Sequence, residues 1–443
     1  MSEFVASTLW IFIGFVAVFI AQTRFPTEDR RYLWLSFWAH IVSAFVLILL
    51  TYNFFGRGDM EVYYFYGDAL ADYIRSDPGR WGPEVGRLIL QQPVELPIEI
   101  FGTEGSSTTS LIGITAFLMI LTNSSEYASG IIMSLLAFSG QWALYCTFRH
   151  HFPAAYRKRV LIATLLVPSA VFWTSGVVKE AVAIAGMGWM IWGLHRLICD
   201  NARLSSLFWL ALGAVVVGIS KSYILFPMAA AGGVWFFWHR SLSTSGEVAL
   251  AARPLYLVGA GIAGVVAMVV LGELFPQYSI GGLAEEAAEL QYQGERIQGG
   301  SSYAIGDAEE TSLMGQLAFA PVAITASLFR PFIFEAHNSV ALINAIETTV
   351  VLFLWLRILW TRGVSDAWRL LRSSPALMFC VVFIVLFGLG VGLATTNLGT
   401  LSRYRVPMMP LYGLVLLMLL PLGKDEKDEK GENEEGDCPA PSR

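Results

Sequence analysis

The sequence predicts an all-α, polytopic transmembrane bundle of about eleven spans, and three observations carry that reading. Of 443 residues, 55% are apolar and only 14% are charged, where an ordinary soluble protein has roughly a quarter charged. Mean hydropathy is +0.57. Apolar runs of about 20 residues, the length that crosses a hydrocarbon core, recur along the whole chain. A soluble globular enzyme is excluded, because a chain of this size cannot hide so much apolar surface.

The runs fall at 6–21, 33–55, 127–147, 160–175, 178–195, 205–220, 222–238, 255–274, 337–356, 376–394 and 406–421. The first is preceded by Glu3 and followed by Arg24, so it reads as an N-out anchor and not as a cleaved signal peptide. Basic residues then set the orientation. The inner connections carry Arg24, Arg30 and Arg31, then Arg149, Arg157, Lys158 and Arg159. Arg196 and Arg203, Arg240 and Arg253, and Arg357, Arg362, Arg369 and Arg372 continue the series. Fifteen basic residues there face five acidic ones, Glu28, Asp29, Asp200, Glu247 and Asp366.

This threading puts two acid-rich loops, about 56–126 and 275–336, on the outer side. Inside them, 111–122 is too short to span comfortably and 313–329 is interrupted by Pro321; both read as re-entrant or interface-lying helices. Residues 1–422 form one transmembrane domain on this reading, and 423–443 a disordered cytoplasmic tail. Eight acidic and four basic residues give the tail −4 of the formal −6.

Cys146, Cys199 and Cys438 fall at or beyond inner helix ends and Cys380 in the inner half of its helix, so no disulfide is predicted. No Cys/His spacing suggests zinc, and there is no P-loop, HExxH or serine nucleophile elbow. GAGIAG at 259–264 matches a dinucleotide fingerprint, but it lies in an apolar span with no preceding strand. Small residues for close helix packing explain it better. Nothing in the chain points to nucleic acid, and no internal repeat supports an inverted-repeat transporter.

The informative residues are polar groups at outer helix ends, in four segments. In EVYYFYGDALADY (61–73), Asp68 and Asp72 share a helix face beside Tyr63, Tyr64 and Tyr66. They suit a general base with an aromatic platform for a sugar, or an interfacial aromatic belt with a solvated acidic face. In PSAVFWTSGVVKEA (168–181), Lys179 and Glu180 sit in the first turn of a helix, and Lys221 lies at another outer turn. Free N–H groups, the helix dipole and a lysine make a phosphate site; the alternative is a snorkelling Lys179. LFRPFIFEAHN (328–338) offers Arg330, Glu335 and His337, with Glu347 deeper in the following helix. Arg330 either clamps a phosphate or pairs with Glu335. NLGTLSRYRVPMMP (397–410) carries Arg403, Tyr404 and Arg405 on the outer side, against the positive-inside trend. An anionic ligand or the acid-rich loops would account for them.

One outer cavity lined by these carboxylates and cations suits a polyprenyl-linked sugar, which combines a phosphate, a polar body and a lipid tail. The architecture resembles the GT-C superfamily of polytopic glycosyltransferases that use lipid-phosphate sugars, and GDALADY resembles the acidic site in the family's first outer loop. FWTSGVVKEA, LFRPFIFEAHN and GTLSRYRVPMMP are similar to segments of bacterial envelope-polysaccharide membrane proteins. The resemblance implies a glycosyltransferase or polysaccharide polymerase in a bacterial inner membrane, with a lipid-linked sugar or oligosaccharide as partner. Asp68 is then the first candidate base, with Asp72 and Glu180 as alternatives. Asp68 departs from the family's frequent paired-acid pattern, since no carboxylate stands immediately beside it. No dedicated metal cage is visible, and a carboxylate-held Mg²⁺ or Mn²⁺ is compatible with the chemistry. The rival readings are a flippase of lipid-linked saccharides and a non-catalytic assembly subunit whose acidic tail docks polysaccharide assembly proteins.

Overall fold

The computed structural model describes residues 2–55, 58–100, 106–200, 203–243, 315, 318–395 and 397–423. Among the described residues every regular element is helical. Seven helical runs there are long and apolar enough to cross a membrane: Glu3–Arg24, Thr27–Phe54, Glu126–Phe148, Lys179–Cys199, Arg203–Ser241, Ser339–Ser373 and Pro375–Ala394. Shorter apolar helices cover Ser107–Thr122, Ala320–Phe329 and Val406–Leu419. The predicted span 255–274, the GAGIAG segment, most of 275–336 and the tail from 424 lie outside the described residues.

The chain groups into two compact units, Met1–Leu144 with Pro168–Leu225, and Tyr145–Val167 with Phe226–Arg443. In unit one, α1 (Glu3–Ala21) starts at Ser2, whose hydroxyl accepts the Val5 N–H. It packs with α2 (Thr27–Leu50) and α6 (Glu126–Phe148) around Val18, Leu33, Phe37, Ile41, Ala44, Ile131 and Phe138. Between α2 and α6 come α3 (Asp59–Ser76), α4 (Pro78–Ile89) and α5 (Ser107–Thr122). Asp77 caps α4, and Pro78 takes the first helical position, where a missing N–H costs nothing. Ser106 caps α5. Ten of the 16 residues of α5 are buried, Leu111, Ile112, Ala116 and Met119 among them, so α5 lies inside the unit instead of on its surface. A Cβ on Gly67 would meet Thr115, which marks how closely α3 crosses it.

The predicted span 160–175 is not one helix. α7 (Arg157–Leu165) ends before Val167, and α8 (Pro168–Phe172) is a separate short piece. Pro168 has no N–H to continue the ladder and drives its predecessor out of the helical region. The next two helices, α9 (Lys179–Cys199) and α10 (Arg203–Lys221), run antiparallel through glycine contacts, with Gly186 against Gly213 and Gly193 against Leu210. α9 also meets α6 where Gly188 faces Gly140. A Cβ on Gly188 would lie 2.0 Å from the Gly140 carbonyl oxygen. Backbone cannot yield as a side chain can, so Gly188→Ala is expected to force α6 and α9 apart. The cost expected is about 3 kcal/mol, the upper end for overpacking, read as a lowered midpoint of thermal unfolding in detergent.

Lys221 leaves helical geometry, and a 3₁₀ turn (Ser222–Ile224) leads into α11 (Leu225–Ser243). Unit two takes up α7 and most of α11, then α12 (Ala320–Phe329), α13 (Ser339–Ser373), α14 (Pro375–Ala394), α15 (Leu398–Tyr404) and α16 (Met409–Leu419). α13 is capped by Asn338 and interrupted at Gly363, whose φ of 72° and ψ of 170° are non-helical. Ser374 and Pro375 restart the chain as α14. α12 lies on α14 so closely that a Cβ on Gly392 would touch the Ala323 carbonyl. Trp355 ties α13 to α16 by donating to the Tyr412 hydroxyl at 2.7 Å.

Candidate functional site

At one end of unit one the start of α1, the end of the α2 run, α3 and the corner between α5 and α6 meet. Glu3 accepts the Ser125 hydroxyl and the Glu126 N–H (3.0 Å). Tyr52 donates to the Glu126 carboxylate, and Tyr64 donates to the Glu126 carbonyl at 3.0 Å. Burial, with the Glu126 charge behind it, pushes the Tyr64 phenol well above its ordinary value of 10.0, so it remains a donor.

The corner itself is strained. Asn123 and Ser124, neither of them glycine, adopt left-handed φ angles of 55° and 61°. Each such residue costs about 1 kcal/mol or more and persists only where its surroundings over-determine it. Here they do. Ser124 donates to Asp68 Oδ1, and its hydroxyl also accepts from Arg75 Nη2 at 3.1 Å. Arg75 in turn donates to the Met119 carbonyl and to Asp72, both at 2.7 Å. Asp68 is half-buried, whereas Asp72 is 72% exposed in its side chain.

Lys179, Glu180 and Lys221 are elsewhere. Ser175, just before them, lies 3.0 Å from Ser134, eight residues and so about 12 Å along α6 from Glu126. The outer turn predicted within 168–181 is therefore set well inside the unit. Lys179 donates to Ser107 (2.9 Å) and Thr108 (2.8 Å) in the first turn of α5. Beside it, Lys221 Nζ lies 2.9 Å from Glu180, with the two side chains 5% and 0% exposed. Gln91 spans the same region, donating to Ser110 and to the Ile219 carbonyl. Asp68 and Lys179 thus stand at opposite ends of α5, whose 16 residues span about 24 Å. The single cavity holding both, expected from sequence, is not what this unit builds. Glu180 is paired with Lys221 at the Lys179 end of α5, away from Asp68.

In unit two, Arg330 grips Glu335 with two guanidinium nitrogens, and the Phe332 N–H adds a third bond at 2.8 Å. Arg405, fully buried, donates to the Arg330 carbonyl at 2.6 Å and lies 4.0 Å from Glu347. Arg330 therefore adopts the pairing alternative, and Arg405 braces it. Arg403 and Tyr404 close α15 half-buried, and His337 is exposed.

Burial alone would push the Glu335 carboxyl up, but the Arg330 and Phe332 hydrogen bonds and the nearby Arg330 and His337 charges outweigh it. The carboxyl is held below its ordinary value of 4.5. A depressed carboxylate contributes stability that is full above its unfolded value and is lost as pH falls through the folded one. Glu335→Gln is expected to destabilise at neutral pH and to flatten the loss of stability on acidification below about 4.5, as measured by thermal unfolding across that range.

Sequence reasoning missed Arg75, Ser124 and Glu126 as a unit. The available signals were Arg75 three residues after Asp72, and Asn123-Ser124-Ser125 interrupting two apolar runs. Comparisons with family models, curated proteins and solved structures return no match for the chain.

Proposed function

We propose that this protein is a membrane-embedded glycosyltransferase or polysaccharide polymerase. It would draw sugar from a polyprenyl-phosphate or polyprenyl-diphosphate donor at the outer face of a bacterial cytoplasmic membrane, for envelope or exopolysaccharide assembly. On this reading the described helices and the segment around 255–274 make up about eleven crossings in a GT-C-like arrangement, N-terminus outside. The acidic tail then lies in the cytoplasm, available to assembly proteins.

One observation carries the reading: a hydroxyl already donates into Asp68, at a strained corner tied to α1, the α2 run and α3. An acceptor sugar hydroxyl replacing Ser124 would find the carboxylate placed to take its proton. As the acceptor oxygen bonds to the anomeric carbon, the bond from that carbon to the donor phosphate breaks, and the phosphate leaves with the electron pair. Arg75 is the cation beside that carboxylate and would offset the developing charge.

The second reading, translocation of lipid-linked saccharides, is favoured by the separate polar stations at the two ends of α5. The experiment reconstitutes the protein in vesicles with a labelled polyprenyl-phosphate sugar. Sugar transferred to an acceptor supports the enzyme, while donor moved between leaflets without transfer supports the flippase. Neither activity on mono- and diphosphate donors overturns both.

A further inference from the structure

α13 is longer than a membrane needs. The unbroken stretch 339–362 already amounts to about 36 Å, and helix resumes past Gly363 as far as Ser373, whereas a hydrocarbon core of roughly 30 Å takes about 20 residues. The excess lies at its C-terminal end, where Gly363 breaks the helical path. There the chain exposes large apolar side chains, Trp360 by 91%, Val364 by 72% and Trp368 by 48%. Arginines 357, 362, 369 and 372 are interleaved with them against one carboxylate, Asp366, which lies 3.2 Å from Arg369.

Neighbouring elements of unit two hold this end in place. Trp238 of α11 donates to the Arg372 carbonyl at 2.9 Å. Arg362 donates to the Leu419 carbonyl at 2.6 Å, and Arg159 to those of Leu417, Leu420 and Pro421. These two arginines satisfy carbonyls at the C-terminus of α16, where cations are favoured. Arg357, Arg369 and Arg372 instead face outward with the tryptophans.

We infer that the C-terminal end of α13 is a binding surface for anionic phospholipid headgroups, with Trp360, Val364 and Trp368 seated at the acyl boundary. Two occupants match its charge, the lipid and the acidic tail that begins just beyond α16. Only the lipid also covers the apolar side chains, because 424–437 contains no apolar residue larger than glycine. Interleaved tryptophan and arginine at the end of a span is the composition that anchors at an interface.

The test titrates the full-length protein in detergent with phosphatidylglycerol and with phosphatidylcholine, counting bound lipids by native mass spectrometry. The wild type should prefer phosphatidylglycerol, and R369Q/R372Q should lose about fivefold per arginine, roughly 25-fold in all. Should that variant fold poorly, the wild-type preference must still fall as salt rises. Equal binding of the two lipids, or a preference untouched by both substitutions and salt, overturns the inference. A preference that emerges only after deletion of 424–443 also overturns it, and makes the tail the occupant.

Discussion

Lys221→Met is expected to destabilise the protein by about 3–5 kcal/mol, because it leaves the Glu180 carboxylate buried without its ammonium. Glu180 is fully buried and the Lys221 side chain nearly so, at 2.9 Å. Two charges so placed have given up their hydration, and their attraction only offsets that cost. Removing one partner exposes the whole penalty of the other. Replacing both by apolar groups of similar volume, Glu180→Leu with Lys221→Met, is often neutral or even stabilising in such pairs. The double variant should therefore unfold within about 1–2 kcal/mol of wild type, monitored thermally in detergent. If Lys221→Met alone costs under about 1 kcal/mol, solvent reaches the pair and the buried-pair account fails. A double variant that folds but loses activity would support the functional role that the sequence suggests for Glu180.

Helix existence was readable because crossing a bilayer imposes a length and an apolarity that composition cannot disguise. α2, α6, α9 and α14 lie close to their predicted runs for that reason. Interruptions were harder. Residues 160–175 look continuous in hydropathy, and only Pro168 signals that α7 and α8 are separate. α13 outruns its apolar segment because helical geometry tolerates Arg357 and Arg362 once the chain has left the core. Depth was not readable at all. Hydropathy assigns a turn to one side of a membrane, yet Ser175 sits beside Ser134, two turns along α6. That displacement separates Lys179 from Asp68, although both follow from the same orientation rule. Partner choice failed similarly. Ser124 was visible only as part of the polar Asn123-Ser124-Ser125 break between two apolar runs, and its role depends on φ angles that no spacing encodes.

Asp68→Asn should abolish sugar transfer while sparing the fold, and the two halves of that outcome have separate causes. Asparagine keeps the shape of the side chain and a carbonyl oxygen that can still accept from Ser124. The strained corner also retains Arg75, Glu3 and Tyr64 as independent ties. Expression and melting temperature should accordingly change little. What asparagine lacks is basicity, and losing a positioned general base typically costs about 10²–10⁴ in rate, equivalent to roughly 3–5 kcal/mol of barrier. Asp72→Asn is the control. Asp72 is the more exposed carboxylate and pairs with Arg75 at the surface, where an ion pair is worth about 0–1 kcal/mol, so transfer should fall by no more than about fivefold. Turnover with donor and acceptor saturating, measured for both variants in vesicles, decides the matter. Equal losses would mean that the α3 carboxylates act only through the local field. Full activity in Asp68→Asn would remove the base and, with it, the chemistry proposed for this corner.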